Sequence, residues 1–139
     1  MSDICVDSGF VLAAILSESD TAGVSAQIGR WAQKRDRLIA PPLFQYEIHS
    51  VLNQRVRSGE IGSDQRTSGW ESVLKLGIVI EMPEDLWKRA WELADRLSQR
   101  HTYDMHYLAL AEQRNCELWT LDEALLKLVK GGPWRVRTV

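Results

Sequence analysis

The segment from Asp104 to Asp122 constrains the fold more than any other part of the sequence, because it brings two distant carboxylates together. Residues 104–114 carry apolar side chains at helical spacing, and a helix of that length advances the chain roughly 16 Å. Asn115 breaks this pattern, and 117–121 is a short apolar run typical of a buried strand that returns over about the same distance. Asp122 is therefore expected beside Asp104, and the two acids should form one corner of a site.

Strand and helix patterns alternate along the rest of the chain. Strands are predicted at 3–7, 37–40, 77–81, 117–121 and 134–138. Helices are predicted at 10–16, 21–34 with Asp20 or Thr21 as its cap, 43–57, 64–75, 83–99, 104–114 and 122–129. This alternation predicts an α/β fold with a mostly parallel sheet that helices cover on both sides.

Composition adds limits on the class of protein. A chain of 139 residues is expected to form one domain over 1–139, and its net charge of −2 gives no overall nucleic-acid signature. The sequence has no apolar run near 18 residues and no charged and then apolar N-terminal segment, so we expect an intracellular, cytoplasmic chain outside the membrane. Cys5 and Cys116 fall in predicted strands and are interpreted as buried core thiols.

Four acids are expected to meet at one edge of the sheet. Asp7 and Asp122 follow strands and Asp104 opens a helix, and sites in parallel sheets form beyond the carboxyl ends of the strands. Glu47 lies on the predicted third helix, on the stripe of Phe44 and Val51, so it faces the apolar side. An acid there is costly to bury unless it finds a partner, and a cation shared with the other acids would supply one.

A cluster of carboxylates favours a hard divalent cation. The acids would raise each other's pKa values, and a bound ion reverses that effect. All-oxygen ligation suits Mg²⁺ or Mn²⁺, and the corresponding chemistry is metal-assisted hydrolysis of a phosphodiester. Ser8 and Thr120 are placed to bond to the ligands or their waters.

Each acid also has a simpler interpretation. Asp104 and Asp122 can be helix N-caps, and Asp7 can be a turn residue at a strand end. Glu47 is the hardest of the four to explain in that way. The combination of all four at one predicted edge favours a functional site.

Three segments of the chain carry a family pattern: ICVDSGFVLAAIL, APPLFQYEIHSVL and YDMHYLALAEQRNCELWTLDEAL. They resemble the PIN-domain ribonucleases, and specifically the short VapC-like toxins of bacterial and archaeal toxin–antitoxin pairs. Together with the intervening helices they cover nearly the whole chain. The last segment is the most specific, because it contains Tyr-Asp, a second Tyr three residues on, Ala-Leu-Ala and a strand ending in Thr-x-Asp.

The resemblance implies a role for each matching residue. It places Asp7, Glu47, Asp104 and Asp122 in an acidic metal site that is also the catalytic site, with Thr120 as a polar neighbour. It implies a PIN-like three-layer sandwich around a five-stranded parallel sheet, and Mg²⁺- or Mn²⁺-dependent endonucleolytic cleavage of RNA. It further implies a homodimer whose activity stops translation and growth, and an antitoxin protein that inhibits it.

One position departs from the family pattern. Ser50 stands three residues after Glu47, where many members carry Asn, and this change bears on substrate contacts more than on metal binding. Arg100, His101 and Ser50 are the candidates for substrate binding. Glu123 could assist Asp122, although an acid in a first helical turn also simply favours the helix dipole.

The remaining histidines and the helical tryptophans have ordinary structural interpretations. His49 and His106 share no metal-binding spacing and are interpreted as solvated or structural. Trp31, Trp70, Trp87 and Trp91 are interpreted as core residues, with a protein interface as the alternative for the pair Trp87 and Trp91.

Two rival functions follow from the same sequence. One is a PIN-like module that binds RNA or protein without cleaving, which Ser50 weakly favours and the intact acid set opposes. The other is a phosphatase of the haloacid dehalogenase type with Asp7 as nucleophile. That family places a second Asp two residues later, where this chain has Gly9.

Overall fold

The computed structural model describes residues 1–16 and 22–139. Its strands are β1 (Asp3–Val6), β2 (Arg37–Ala40), β3 (Val79–Ile80), β4 (Glu117–Trp119) and β5 (Val136–Arg137). Its helices are α1 (Ser8–Ile15), α2 (Ala22–Lys34), α3 (Leu43–Arg57), α4 (Ser63–Lys75), α5 (Leu86–Arg96), α6 (Tyr103–Gln113) and α7 (Glu123–Val129).

The five strands form one sheet in the order β3-β2-β1-β4-β5, and every neighbouring pair is parallel. In the register of the central pair, Val6 of β1 lies opposite Trp119 of β4. The backbone N–H of Asp7 continues this ladder by donating to the carbonyl of Trp119 at 3.2 Å. The predicted α/β fold with helices around a parallel sheet is confirmed.

Burial explains why β1 takes the centre of the sheet. Its residues Ile4, Cys5 and Val6 are all buried, as a strand covered on both faces requires. On one side an aromatic cluster joins α1, α2 and β4, with ring centroids 5.6 Å apart for Phe10 and Trp31 and 5.2 Å apart for Trp31 and Trp119. Helix α6 packs against β1 and β4 and also against α5.

The strand order places a crevice between β1 and β4. From β1 the chain proceeds to β2 and β3 on one side, whereas β4 lies on the other side of β1 and leads outward to β5. The helices that follow β1 and β4 therefore diverge, and such a reversal opens a crevice at the carboxyl ends of the two strands. Asp7 and Asp122 lie at those two ends.

Several predicted elements are shorter in the structure. The helix predicted at 83–99 is only Leu86–Arg96, because a turn at Pro83 precedes it and Ser98 has a left-handed φ of 53° after its end. The strand predicted at 77–81 has two residues, Val79–Ile80, at the edge of the sheet. The predicted cap at Asp20 or Thr21 lies outside the described residues.

The structure contradicts the prediction for two tryptophans and confirms the prediction for the two cysteines. The interpretation of Trp87 and Trp91 as core residues is wrong, since their side chains are 52% and 60% exposed. The two rings contact each other edge to face at 5.3 Å on the outer face of α5. Cys5 and Cys116 are buried free thiols as expected, although Cys116 lies just before β4 instead of inside it.

Within 1–16 and 22–139, no helix combines the length and the apolar character needed to span a membrane.

Candidate active site

Asp7 is a carboxylate held in the interior at the end of β1. Its side chain caps α1 by accepting a hydrogen bond from the backbone N–H of Phe10 at 2.9 Å. The other carboxylate oxygen accepts from the hydroxyl of Thr120, which is fully buried at the end of β4. Asp7 is therefore the N-cap of α1 in a buried position. A neutral side chain such as Asn or Ser could cap the helix equally well, so capping does not explain why a charged residue is buried here.

Thr120 connects Asp7 to the second acid of this edge. Its hydroxyl oxygen accepts a hydrogen bond from the backbone N–H of Asp122 at 3.0 Å while its proton points to Asp7. Asp122 then caps α7 by accepting from the N–H of Leu125 at 3.1 Å. One buried hydroxyl thus contacts the carboxylate of Asp7 and the backbone of Asp122, and so connects the ends of two adjacent strands.

Glu47 enters the site from α3, one turn after its start. Its carboxylate accepts a hydrogen bond from the hydroxyl of Tyr107 at 2.6 Å, and Tyr107 is almost fully buried on α6. Burial raises the pKa of Glu47, while hydrogen bonds from Tyr107 and from Ser8 counter that rise. The partner of this inward-facing acid is therefore a phenol, which explains how the fold tolerates it.

Asp104 lies in the first turn of α6, half-buried. The N-cap of that helix is Thr102, so the simple interpretation of Asp104 as a cap is wrong. Burial raises the pKa of Asp104, and the negative charge of Asp122 raises it further. This electrostatic contact is the meeting of the two acids that the lengths of α6 and β4 predict.

The four acids line one cleft of about 340 Å³, which we call the acidic cleft. Its other walls are Ser8, Gly9, Tyr107 and Leu121. Of the residues with a described position, no Lys or Arg lines it. Burial raises the pKa of Asp7 from 3.8 to about 6, and the charges of Asp104 and Glu47 add to the rise against hydrogen bonds from Thr120 and Phe10.

The acidic cleft fits a hydrated divalent cation. Its carboxylate oxygens are the ligands that Mg²⁺ and Mn²⁺ prefer. Burial raises the pKa values of Asp7, Glu47 and Asp104, and a bound cation would counter that effect. In the described ranges, no three His, Cys, Asp or Glu side chains approach closely enough to enclose one ion directly. Mg²⁺ usually keeps several of its waters and binds through one or two carboxylates, so a cleft of this width is compatible with it.

The other predicted residues lie around the cleft or away from it. Ser8 lines it and Thr120 lies directly behind it, as predicted for polar neighbours. The predicted substrate-binding residues do not line it: Ser50 is exposed on α3, and Arg100 and His101 are exposed in the segment before α6. Glu123 is exposed on α7 and also lies outside the cleft. His49 contacts the ring of Trp70, and His106 bonds to the carbonyl of Thr102.

Tyr107 is the residue of this site that the sequence reasoning missed. The sequence pattern assigns it no role at the site, yet its hydroxyl donates a hydrogen bond to Glu47. A signal was present, because a residue three positions after Asp104 lies on the same face of α6. The partner on α3 could not be inferred, since the approach of the two helices depends on the whole fold.

The sequence matches a known protein family over most of its length. The family model of the PIN domain matches residues 4–131. The chain is 30% identical over 119 residues to Ribonuclease VapC9 of Mycobacterium tuberculosis and, with the same values, to VapC ribonuclease Mb0985 of Mycobacterium bovis. These matches cover 86% of this chain and 85% of each relative.

Solved structures share the fold at lower identity. VapBC2 from Rickettsia felis, bound to a DNA fragment from the promoter, has a TM-score of 0.75 at 16% identity and covers 99% of this chain and 98% of its own. PAE2754 from Pyrobaculum aerophilum has a TM-score of 0.69 at 23% identity and covers 94% of this chain and 87% of its own.

Proposed function

The chain belongs to the PIN domain family, and from that membership and the acidic cleft we propose that it is a divalent-metal-dependent endoribonuclease, the toxin of a toxin–antitoxin pair. The observation that carries the proposal is the convergence of Asp7, Glu47, Asp104 and Asp122, without a cation among the cleft residues, in a chain 30% identical to VapC ribonucleases. The proposed reaction is hydrolysis of an RNA phosphodiester. We assign the four acids as ligands and catalytic residues of one site.

The chain's own residues prepare the site for a metal. Thr120 and Phe10 hold Asp7 in one orientation, Tyr107 holds Glu47, and Asp104 lies opposite Asp122. A bound Mg²⁺ or Mn²⁺ would lower the pKa of a water and neutralise charge on the phosphoryl oxygens. A carboxylate of the cleft beside that water would accept its proton.

The proposal extends to partners and assembly. The fold is shared with VapBC structures from Rickettsia felis and from nontypeable Haemophilus influenzae, and we propose an antitoxin protein as the natural inhibitor. We further propose that residues 1–139 act as one domain in the cytoplasm and that two copies form a homodimer.

Cleavage of RNA by the purified chain tests the proposal. Total cellular RNA should be cut in the presence of Mg²⁺ or Mn²⁺, and chelator should stop the reaction. Asp104→Asn should abolish cleavage, because it removes a charge from the cleft without changing the shape of the side chain. Glu123→Gln is the matched control, since this acid is exposed on α7 outside the cleft, and it should cut like the unchanged chain.

Metal binding by calorimetry completes the test. We expect Mg²⁺ or Mn²⁺ to bind the unchanged chain and Asp104→Asn to weaken that binding. Cleavage that persists at full rate in Asp104→Asn would refute the proposed site. A chain that neither binds metal nor cuts RNA would instead be the non-cleaving module considered above.

A further inference from the structure

A second, apolar cleft of about 330 Å³ lies beside the acidic cleft. Its walls include Leu43 of α3, Trp87 of α5, and Tyr103 and His106 of α6. Tyr103 and Trp87 are largely open to solvent, with 63% and 52% of their surface exposed. Large aromatic side chains that stay exposed inside a concave surface indicate a binding role.

The two clefts are adjacent because they share two helices. On α3, Leu43 lines the apolar cleft and Glu47, one turn later, lines the acidic one. On α6, the consecutive residues Tyr103 and Asp104 line the apolar and the acidic cleft respectively. Residues one helical turn apart are separated by about 6 Å. A ligand anchored at the carboxylates can therefore reach the aromatic walls within the span of one nucleotide.

The chemistry of the apolar cleft suits a flat, uncharged group. The ring of His101 stacks on that of Tyr103 with an interplanar angle of 20° and a centroid distance of 6.0 Å. No Lys or Arg belongs to the described lining, so the cleft offers nothing to a phosphate. His106 holds the carbonyl of Thr102 through Nδ1 at 2.7 Å. A carbonyl can only accept, so Nδ1 of His106 donates in this bond and the ring is held against the first turn of α6.

We propose that the apolar cleft binds an unpaired base of the RNA substrate, next to the phosphate that is cut, with Tyr103 as its stacking platform. This inference rests on the proposed function, which places a phosphodiester at the acidic cleft. The base is the part of a nucleotide that needs an aromatic face and no cation. Because a paired base is covered by its neighbours in a duplex, the substrate is RNA that is single-stranded at the cleavage site.

Binding of a fluorescent oligonucleotide tests the proposal without requiring cleavage. The probe is a short uridine oligoribonucleotide with one internal 2-aminopurine, whose emission falls when it stacks. Mg²⁺ is present throughout so that the carboxylates do not repel the phosphates, and the quenching is read immediately after mixing, before cleavage. The unchanged chain should bind the probe and quench it. Tyr103→Ala should weaken binding about tenfold and reduce the quenching, because one base–aromatic stack is lost. Tyr103→Phe keeps the ring and should bind within about twofold of the unchanged chain.

Tyr46→Ala is the matched control. Tyr46 is an exposed tyrosine on α3, 72% accessible, and it lines neither cleft. Its removal should leave binding and quenching unchanged. Trp87→Ala is the second variant, since it removes the facing aromatic wall from a different helix, and it should reduce quenching as Tyr103→Ala does.

Equal binding by Tyr103→Ala and the unchanged chain would overturn the proposal, as would a failure of the unchanged chain to bind the probe. So would a Tyr103→Ala chain that binds the probe normally but sediments as a smaller species, because the cleft would then be a protein contact. Failure of the proposed function is distinguishable, since it appears as metal-dependent cleavage that survives Asp104→Asn. The binding measurement is readable in either case, because it does not depend on cleavage.

Discussion

The two ends of strand β1 carry the same residue in opposite environments. Asp3, at its start, accepts two hydrogen bonds of 2.8 Å from the guanidinium of Arg37, and this contact lowers the pKa of Asp3. Asp7, just past its end, accepts from a hydroxyl and a backbone amide, and burial raises its pKa to about 6. The strand therefore has one end where an acid stabilises the fold and one end where an acid opposes it.

The ion pair between Asp3 and Arg37 belongs to a network that includes Glu81 and Arg114. Arg37 also contacts Glu81 at 3.1 Å, and Arg114 contacts Glu81 at 2.5 Å. The chain thus contains arginines that pair well with acids, but none of those described lines the acidic cleft. Unpaired buried charge lowers stability, and proteins retain it where a ligand or a reaction needs it. The contrast teaches that pairing, and not the number of acids, separates the structural carboxylates from the candidate catalytic ones.

The largest expected difference between the two ends of β1 is in the rate of RNA cleavage. Asp7→Asn should abolish RNA cleavage, a fall of at least about a hundredfold, because even indirect contacts to a metal site typically contribute ten- to a hundredfold. Asp3→Asn, the same change at the other end of β1, should leave the cleavage rate as it is. The rates are measured with total RNA in Mg²⁺. A comparable loss in both variants would mean that the two ends of β1 do not differ in function.

In the absence of metal, Asp7→Asn should raise the free energy of unfolding and Asp3→Asn should lower it. The folded chain holds the proton of Asp7 more tightly than the unfolded chain, so this contribution to stability is complete below pH 3.8 and is lost as pH rises through about 6. The full loss is about 3 kcal/mol. Asp7→Asn cannot ionise and loses part of the bond from Thr120, so above about pH 6 it should be more stable than the unchanged chain by about 2 kcal/mol.

Asp3→Asn should be less stable than the unchanged chain at neutral pH, because it loses the charge that Arg37 binds. The pKa of Asp3 is lowered in the fold, so its contribution is present above the unfolded value of 3.8 and disappears as pH falls below it. Urea unfolding in chelator at about pH 4 and about pH 8 measures both variants. A gain of stability in both, or a loss in both, would contradict the comparison.

The smallest expected effect concerns Tyr107. Tyr107→Phe removes the hydroxyl that bonds to Glu47 at 2.6 Å and leaves the buried ring in place. Metal affinity should fall about tenfold, because an oriented ligand becomes free to rotate. Calorimetry with Mn²⁺ measures the change. Tyr103→Phe, the same change one turn earlier on α6 at an exposed position outside the acidic cleft, is the control and should bind Mn²⁺ normally.

Sequence reasoning was sufficient for the order of the elements and for the meeting of the acids. The strands have strong local signals, and Asp7 and Asp122 follow strands whose parallel pairing puts their ends at one edge. Asp104 could be placed because α6 and the following strand have nearly fixed lengths per residue. Each of these inferences depends on the geometry of one or two elements.

The remaining features depend on contacts between elements far apart in sequence. The bond between Tyr107 and Glu47 joins residues 60 positions apart, and no periodicity predicts it. Trp87 and Trp91 share the apolar periodicity of α5, but that helix is covered only on the side of Ala90, Leu93 and Ala94. A pattern of apolar residues thus identifies a helix without showing how much of it the fold covers.

Helix α6 connects the acidic cleft to the ion pairs near Asp3. Asp104, in its first turn, lines the acidic cleft, and its C-cap residue, Arg114, contacts Glu81. One residue added to an α-helix turns everything beyond it by about 100° and shifts it by about 1.5 Å. An insertion or deletion in 105–113 would therefore misplace either the acids and Tyr107 or the arginine. The length of this helix should be fixed during evolution and engineering, whereas the exposed turn at 130–133 can absorb changes in length.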